Sequence, residues 1–516
     1  MIVLDLELFR AWGFRIDSTS LHYLATPMEA FASMGAAPVI PLLLLLILLF
    51  SLVFFCFITI QRRSIPHFET TPIFYTFIIF LALCGSLVIP IRGGLQQIPM
   101  NESNAFFSDK SFANYAAINV PWNYASSIIN SSYSKRNPYL SFKEKDSELI
   151  VSNLYKHNKE SEQLVRNEKN INVIVIIWES FTAKVVRSLG GVKGVTPQFD
   201  KLTREGLLFR NIYSSGNRSD KGMVSILSGY PAQPIQSIIK IPTKTAGLPS
   251  LPKVFQSHGY STSFYYGGET EFANMKSYFL QQGFDHITDK HAFQDADMNS
   301  KWGAHDHVVL NKLMLDLDKQ SQPFFTTLFT LSSHEPFEVP VKTAIPGNDT
   351  EHLFLNSHHY TDKAIGDFIR IAKTKPWWSK TLIVIIADHG HPLPENPAGK
   401  TNEFHIPMLW LGGALEKRNI KIDSLASQTD LASTLLNQLH LPSETFKWSN
   451  DILMKNRVPF AYFAFTNGIT WIKPEGYFVR DNIGGNITEK KGNLDPQEVN
   501  NGKAYLQSSF TDYLKR

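Results

Sequence analysis

The sequence predicts an α/β fold: a mostly parallel sheet sandwiched by helices, preceded by two transmembrane helices. Two runs, Asn172 to Trp178 and Thr381 to Ile386, are almost wholly apolar and β-branched, as strands buried on both faces are. From Ile171 onward, strand patterns alternate with helical ones over roughly 340 residues, the mark of helices packed on a parallel sheet. Upstream, two uncharged runs are each long enough to cross a bilayer.

The first of those runs, Val39 to Ile60, is about 22 residues long and the second, Ile73 to Ile91, about 19, each sufficient at the helical rise per residue. Neither carries a small-residue cleavage pattern. The loop between them holds Arg62 and Arg63, so the positive-inside rule puts it in the cytoplasm and everything after Arg92 on the outer side. Asp5, Glu7, Arg10, Arg15 and Asp17 punctuate the first 36 residues, which therefore do not span. The expected division is an extracytoplasmic interfacial segment (1–36), two transmembrane helices (37–92), a polar linker with local helices (93–169) and an extracytoplasmic catalytic domain (170–516).

With 516 residues the chain exceeds one ordinary core, so more than one structural unit is expected. Its net charge of +4 comes without a long basic block, which excludes nucleic acid as a partner class. The 2 cysteines, Cys56 and Cys84, both lie in the apolar runs, so no disulfide framework or thiolate metal site exists. Two helices without an intramembrane ionisable residue offer no transport pathway.

Within the last division, strands are expected at Gly206 to Tyr213, Tyr260 to Tyr266, Pro323 to Leu331, Ile406 to Leu411 and Phe460 to Phe465, besides the two above. Helical patterns fall at Pro197 to Glu205, Met223 to Leu227, Pro249 to His258, Glu271 to Gln281, His305 to Asp318 and Tyr360 to Lys373.

Chemistry in such sheets collects beyond the carboxyl ends of the strands. There the sequence places Glu179-Ser180, the turn Gly216-Asn217-Arg218-Ser219-Asp220-Lys221-Gly222, Ser332-Ser333-His334-Glu335-Pro336 and Asp388-His389-Gly390-His391. Brought side by side, Glu179, Ser219, Asp388 and His389 offer three oxygens and one nitrogen, a set suited to a divalent cation of the Mn, Mg or Zn type. A serine hydroxyl is a weak nucleophile at neutral pH, and a bound cation lowers its pKa and aims it. Arg218 or Lys221 and a histidine then hold the oxygens of a phosphoryl or sulfuryl group as charge builds. His334, Arg218, Trp302 and His405 make up the expected substrate-binding set. His305, His307, His358 and His359 are read as surface or packing residues.

The order Trp178-Glu179-Ser180, the Ser219 turn with Leu227-Ser228-Gly229-Tyr230-Pro231 after it, Ser332 to Phe337, Ala387 to Gly390 and His405 to Trp410 resembles the lipoteichoic acid synthase-like branch of the sulfatase/alkaline phosphatase superfamily. The resemblance covers residues 171–440. It implies an alkaline phosphatase/sulfatase-like fold and one divalent ion, manganese before magnesium or zinc, on Glu179, Ser219, Asp388 and His389. Ser219 is then the nucleophile, and His334 contacts the phosphate. It further implies a membrane phospholipid donor, a glycolipid or glycan acceptor, and a multi-pass location in the bacterial cell membrane with the catalytic domain outside.

The chain departs from that branch in two ways. Family members carry five membrane helices, and Asp5 to Ser33 resembles the segment between their third and fourth, so the chain is expected to begin inside that loop. The glycerol-phosphate pocket of lipoteichoic acid synthases uses a Trp and an Arg in the region matching Gly267 to Met275, where this chain has neither. The head group is thereby left open. The implied reaction is transfer of a phosphoglycerol or similar head group through Ser219, with a phosphodiesterase, a sulfatase-type hydrolase and a non-catalytic envelope binding protein as alternatives. A sulfatase needs Cys or Ser before a Pro and an Arg at fixed spacing, and Ser219 to Met223 has neither.

Overall fold

The computed structural model describes residues 5, 6, 9, 15, 16, 39–64, 72–95, 99–108, 111–130, 136–156, 160–235, 237–395, 403–466, 468–482 and 484–516. The interfacial segment expected over 1–36 lies outside the described residues except at the five positions named. The chain forms two compact units, 1–135 and 136–516.

In the first unit, helices Val39–Ser64 and Ile73–Arg92 expose apolar side chains on every face. Spans of 24 and 20 residues within them reach mean hydropathies of 3.1 and 2.3, long and apolar enough to cross a membrane. Gly93 stops the second helix with φ 90°, a conformation that costs a Cβ-bearing residue and suits glycine. Two shorter helices follow, Ser111–Ala117 and Val120–Asn130.

In the second unit, an eight-stranded sheet is built from β1 (Asn172–Trp178), β2 (Leu207–Tyr213), β3 (Ser261–Tyr266), β4 (His286–Thr288), β5 (Phe324–Phe329), β6 (Thr381–Ala387), β7 (His405–Leu411) and β8 (Ile420–Ser427). The spatial order is β4-β3-β5-β1-β6-β7-β2-β8, and every neighbouring pair is parallel except those made by β7. Helix Asp306–Leu317 carries the chain from β4 to β5, and helix Thr350–Ala372 from β5 to β6. β7 runs antiparallel to both of its neighbours, β6 and β2. Helix Thr350–Ala372 starts ten residues before the expected Tyr360, because Asp349 caps it by accepting from the His352 amide at 3.0 Å.

β1 and β6 sit at the centre and are buried along their whole length, as their unbroken apolar runs require. Each Ile or Val buried there contributes about 1.5–3 kcal/mol, and truncating one to Ala costs about 2–5 kcal/mol. The register sets Trp178 opposite Ala387, so the next residue of each strand, Glu179 and Asp388, emerges at the same edge.

The strand expected at Phe460 to Phe465 belongs to a second sheet. Strands β9 (Ala461–Phe465), β10 (Gly468–Lys473), β11 (Gly476–Asp481) and β12 (Ile487–Gly492) form an antiparallel meander. The C-terminal helix Pro496–Lys515 covers it, and Gly502 permits the approach: a Cβ there would lie 2.7 Å from the Phe478 ring. Gln507 on that helix also accepts from the Ser141 and Phe142 amides, tying in the stretch before helix Glu144–Leu154.

Candidate active site

Four segments converge where β1, β2, β5 and β6 end. Beyond β1, the Glu179 amide donates to Thr330 Oγ1 at 2.9 Å, and the Glu179 carbonyl accepts from Ser333 Oγ at 2.7 Å. Both contacts come from the end of β5, so the carboxylate leaves the sheet at a fixed point. Ser180 takes φ 55°, a strained left-handed conformation, and its amide donates to Asp388 Oδ1 at 2.8 Å.

Beyond β2, the turn leads into helix Ser219–Ser228, with Arg218 in extended conformation just before it. Ser219 thus stands on the first turn, where free amides and the helix dipole favour an anion. Buried side chains brace the turn. Lys221 Nζ donates to the Gln233 carbonyl at 2.9 Å, and Ser215 Oγ accepts from the Ala232 amide at 2.8 Å. Gln428 links this strand end to the next: Nε2 donates to the Ala387 and Asp388 carbonyls, both at 2.7 Å, while Oε1 accepts from the Ser215 amide at 3.2 Å.

Ser219 Oγ lies 3.1 Å from Glu179 Oε2 and 3.5 Å from His389 Nε2. His389 Nε2 is in turn 3.6 Å from Glu179 Oε1 and 3.5 Å from Asp388 Oδ2. His389 Nδ1 donates to the Gly390 carbonyl at 2.7 Å, which leaves the Nε2 lone pair of the neutral ring facing the carboxylates. Glu179, Asp388 and His389 are buried, and their ligand atoms all lie within 4.8 Å of one another. Asp388 Oδ2 is buried with no hydrogen-bond partner, a cost that a cation at this point removes. Two carboxylate oxygens, a hydroxyl and an imidazole nitrogen fit a divalent cation.

The electrostatics point the same way. Burial raises the Asp388 pKa well above the usual carboxylate range, and the Glu179 charge adds to it. Burial also pushes Glu179 upward, but the bond to His389, the charges of His389 and His334 and a bond from Asp388 together outweigh it and hold that carboxyl low. Burial disfavours the His389 cation, yet Asp388 and Glu179 overcome this and push its pKa up to about 10. Two buried carboxylates draw positive charge to this spot.

The group opens on a cleft of about 780 Å³ lined also by Arg218, Lys240, Ala273, His334 and His391. Lys240 is held by Asp220 at 3.2 Å, whereas Arg218 is solvent-exposed. Ala273 and Asn274 both adopt left-handed backbone, and Asn274 Nδ2 donates to the Lys240 carbonyl. An aromatic wall faces the charged side: Phe404 and Phe463 stack at 3.4 Å, and Phe465 stands 6.2 Å beyond Phe463.

Of the residues the sequence singled out, Glu179, Ser219, Asp388 and His389 come together, and Arg218 and His334 line their cleft. Trp302 does not line it directly. Its ring meets His334 edge-on at 4.9 Å, and its Nε1 donates to the Glu335 carbonyl. His405 stands apart, with Nε2 donating to the Arg210 carbonyl and its ring stacked on Tyr213. His358 is fully buried against Trp178, Phe181 and Phe354. His391 lies in the segment read after β6 but was given no role there, and the phenylalanine wall had no motif to announce it. The clue to the wall was the turn Lys473-Pro474-Glu475-Gly476 between two alternating runs, which marks a hairpin. A second carboxylate–imidazole group, Glu271, Asp289 and His291, already has the Lys276 ammonium 2.7 Å from Glu271.

Strand order, the carboxylate–imidazole group and the serine at a helix N-terminus together define an alkaline phosphatase-like fold. Residues 171–441 match the Sulfatase family profile, and the chain belongs to that family. A protein of the alkaline phosphatase superfamily from Vibrio parahaemolyticus superposes with a TM-score of 0.66 at 26% identity, covering 74% of this chain and 98% of that one. The lipoteichoic acid synthase LtaP from Listeria monocytogenes gives 0.61 at 19% identity, covering 73% and 99%. In sequence, the lipoteichoic acid synthase-like YvgJ of Bacillus subtilis is 23% identical over 328 residues, 58% of this chain and 53% of that protein. Lipoteichoic acid synthase 2 of the same organism is 26% identical over 318 residues, 56% and 48%. The chain spans about half the length of the curated relatives it matches.

Proposed function

We propose that the chain is a membrane-anchored, divalent-cation-dependent phosphotransferase. It takes a phosphoglycerol or similar phospho-head group from a phospholipid onto Ser219 and hands it to a glycolipid or glycan acceptor. The observation that carries this reading is Ser219 Oγ at the start of a helix, 3.1 Å from Glu179 Oε2 and 3.5 Å from His389 Nε2.

Glu179, Asp388, His389 and Ser219 would hold one cation, Mn²⁺ before Mg²⁺ or Zn²⁺. When bound it supplies Lewis acidity that favours the ionised hydroxyl. Ser219 Oγ forms a bond to phosphorus as the ester bond to the diacylglycerol oxygen breaks, and that oxygen leaves with a proton. Arg218 and His334 hold the non-bridging oxygens, and the helix amides add to the same field. An acceptor hydroxyl then attacks phosphorus, loses its proton and releases Ser219. In this reading Arg62 and Arg63 mark the cytoplasmic side, and residues 170–516 work outside.

The test is intact mass of the full chain in detergent micelles after incubation with Mn²⁺ and a bacterial phospholipid extract. The expected result is an adduct on Ser219 whose mass identifies the head group, with diacylglycerol released and neither seen in Ser219→Ala. Diacylglycerol release without an adduct or transfer product, even with glycolipid added, replaces the transferase with a phosphodiesterase. Turnover retained in Ser219→Ala refutes the assignment.

A further inference from the structure

His391 stands two residues beyond His389 and lines the same cleft as Ser219, yet the reaction above gives it no task. The Leu393 amide donates to its Nδ1 at 3.1 Å. Because a backbone N–H can only donate, Nδ1 must be the bare nitrogen, and the ring proton sits on Nε2. The ring is clamped as well. It stacks on Phe354 with centroids 4.4 Å apart and planes at 18°, and meets Phe337 edge-on at 6.0 Å. The loop that supplies the Leu393 amide is fixed in turn by Lys184, whose Nζ donates to the Pro392 and Pro394 carbonyls. Three independent contacts therefore fix the place, plane and tautomer of one imidazole.

Nε2 has no protein partner among the described residues. The half-buried ring lines the cleft, and with Nδ1 engaged by Leu393, Nε2 is the nitrogen it has to offer there. A neutral imidazole N–H is a fixed hydrogen-bond donor but a very poor acid, since loss of its proton leaves an imidazolate. That chemistry suits an oxygen that gains charge without taking a proton.

We infer that His391 is a substrate-contacting residue whose Nε2–H donates to a non-bridging oxygen of the phosphoryl group at Ser219. This rests on the phosphoryl-transfer reading. The proton stays on Nε2 throughout, so His391 stabilises charge and leaves proton transfer to other groups.

The experiment uses the full chain in detergent micelles with Mg²⁺, ring-¹⁵N-labelled histidine and inorganic phosphate as probe. The His391 signals, assigned by their loss in His391→Phe, are expected to show the Nε2–H tautomer. They should shift with phosphate along the same binding curve as those of His389. His391→Phe keeps the stacking but lacks the donor, and should weaken phosphate binding about tenfold. His391→Gln restores a donor and should stay within about threefold of the parent. An Nδ1–H tautomer, a His391 signal unmoved while His389 saturates, or parent-like affinity in His391→Phe overturns the inference alone. If phosphate moves neither histidine, the phosphoryl reading fails and the inference with it.

Discussion

A Cβ added to Gly222 would lie 2.0 Å from the carbonyl oxygen of Asp388. The helix that begins with Ser219 and the end of β6 therefore touch backbone to backbone, and only glycine permits that spacing. Gly222→Ala must push the two apart. Overpacking of this kind costs about 1–3 kcal/mol, and a displacement near 1 Å costs about 100-fold in turnover. Calorimetric Mn²⁺ titration and a thermal melt should both show the loss. Parent-like affinity would mean that the contact does not set the site.

Ion binding should expel a proton. The pKa of His389 is pushed up to about 10 in the ion-free protein, so below that pH the ring carries a proton on the nitrogen that faces the carboxylates. A cation must displace it. Affinity should therefore rise about tenfold per pH unit between pH 7 and 9, and fall as the pH is lowered. Calorimetry in two buffers of different ionisation enthalpy should count at least one proton released per ion, since Asp388 is also raised. A count of zero would contradict the charge balance described above.

Gln428→Leu removes the amide that holds Ala387, Asp388 and Ser215 together. Buried backbone groups left without partners cost about 1–3 kcal/mol each, so a lower melting temperature is expected, together with weaker ion binding. A loss of stability with parent-like ion affinity would assign Gln428 to the fold alone.

Arg218→Gln removes the charge and leaves a shorter, neutral hydrogen-bonding side chain. Turnover should drop about 100-fold if the guanidinium holds transition-state charge, and ion affinity should be unchanged. Because Arg218 is exposed, the variant should melt within about 0.5 kcal/mol of the parent, as surface substitutions do. Equal turnover would remove Arg218 from the reaction.

Phe465→Ala opens the apolar wall. The expectation is a raised KM for a lipid-linked or aryl substrate with kcat little changed, the signature of uniform binding. Equal KM values for parent and variant would show that no substrate reaches the wall.

Much of this was legible in the sequence, for physical reasons. β1 and β6 are covered on both faces, so their apolar runs are unbroken, and the residues that follow a central parallel strand are its carboxyl end by definition. That is why Glu179, Asp388 and His389 could be read directly, and Ser219 from its glycine-bracketed turn. β8 was not legible because one face is exposed, so Lys421 and Asp423 interrupt it. β4 is only three residues long, and β12 is largely exposed. His405 pointed elsewhere than expected because the partner it found, the Arg210 carbonyl, lies across a bulged antiparallel pairing that no local pattern reveals.

The phenylalanine wall has an unusual origin along the chain. Glu179, Ser219, Asp388 and His389 all fall within the stretch that matches the family, 171–441, whereas Phe463 and Phe465 come from the small antiparallel sheet after it. The serine, carboxylates and imidazole and part of the cleft's apolar lining thus come from different stretches of the chain. Exchanging the meander would therefore reshape the apolar side of the cleft while leaving Glu179, Ser219, Asp388 and His389 in place.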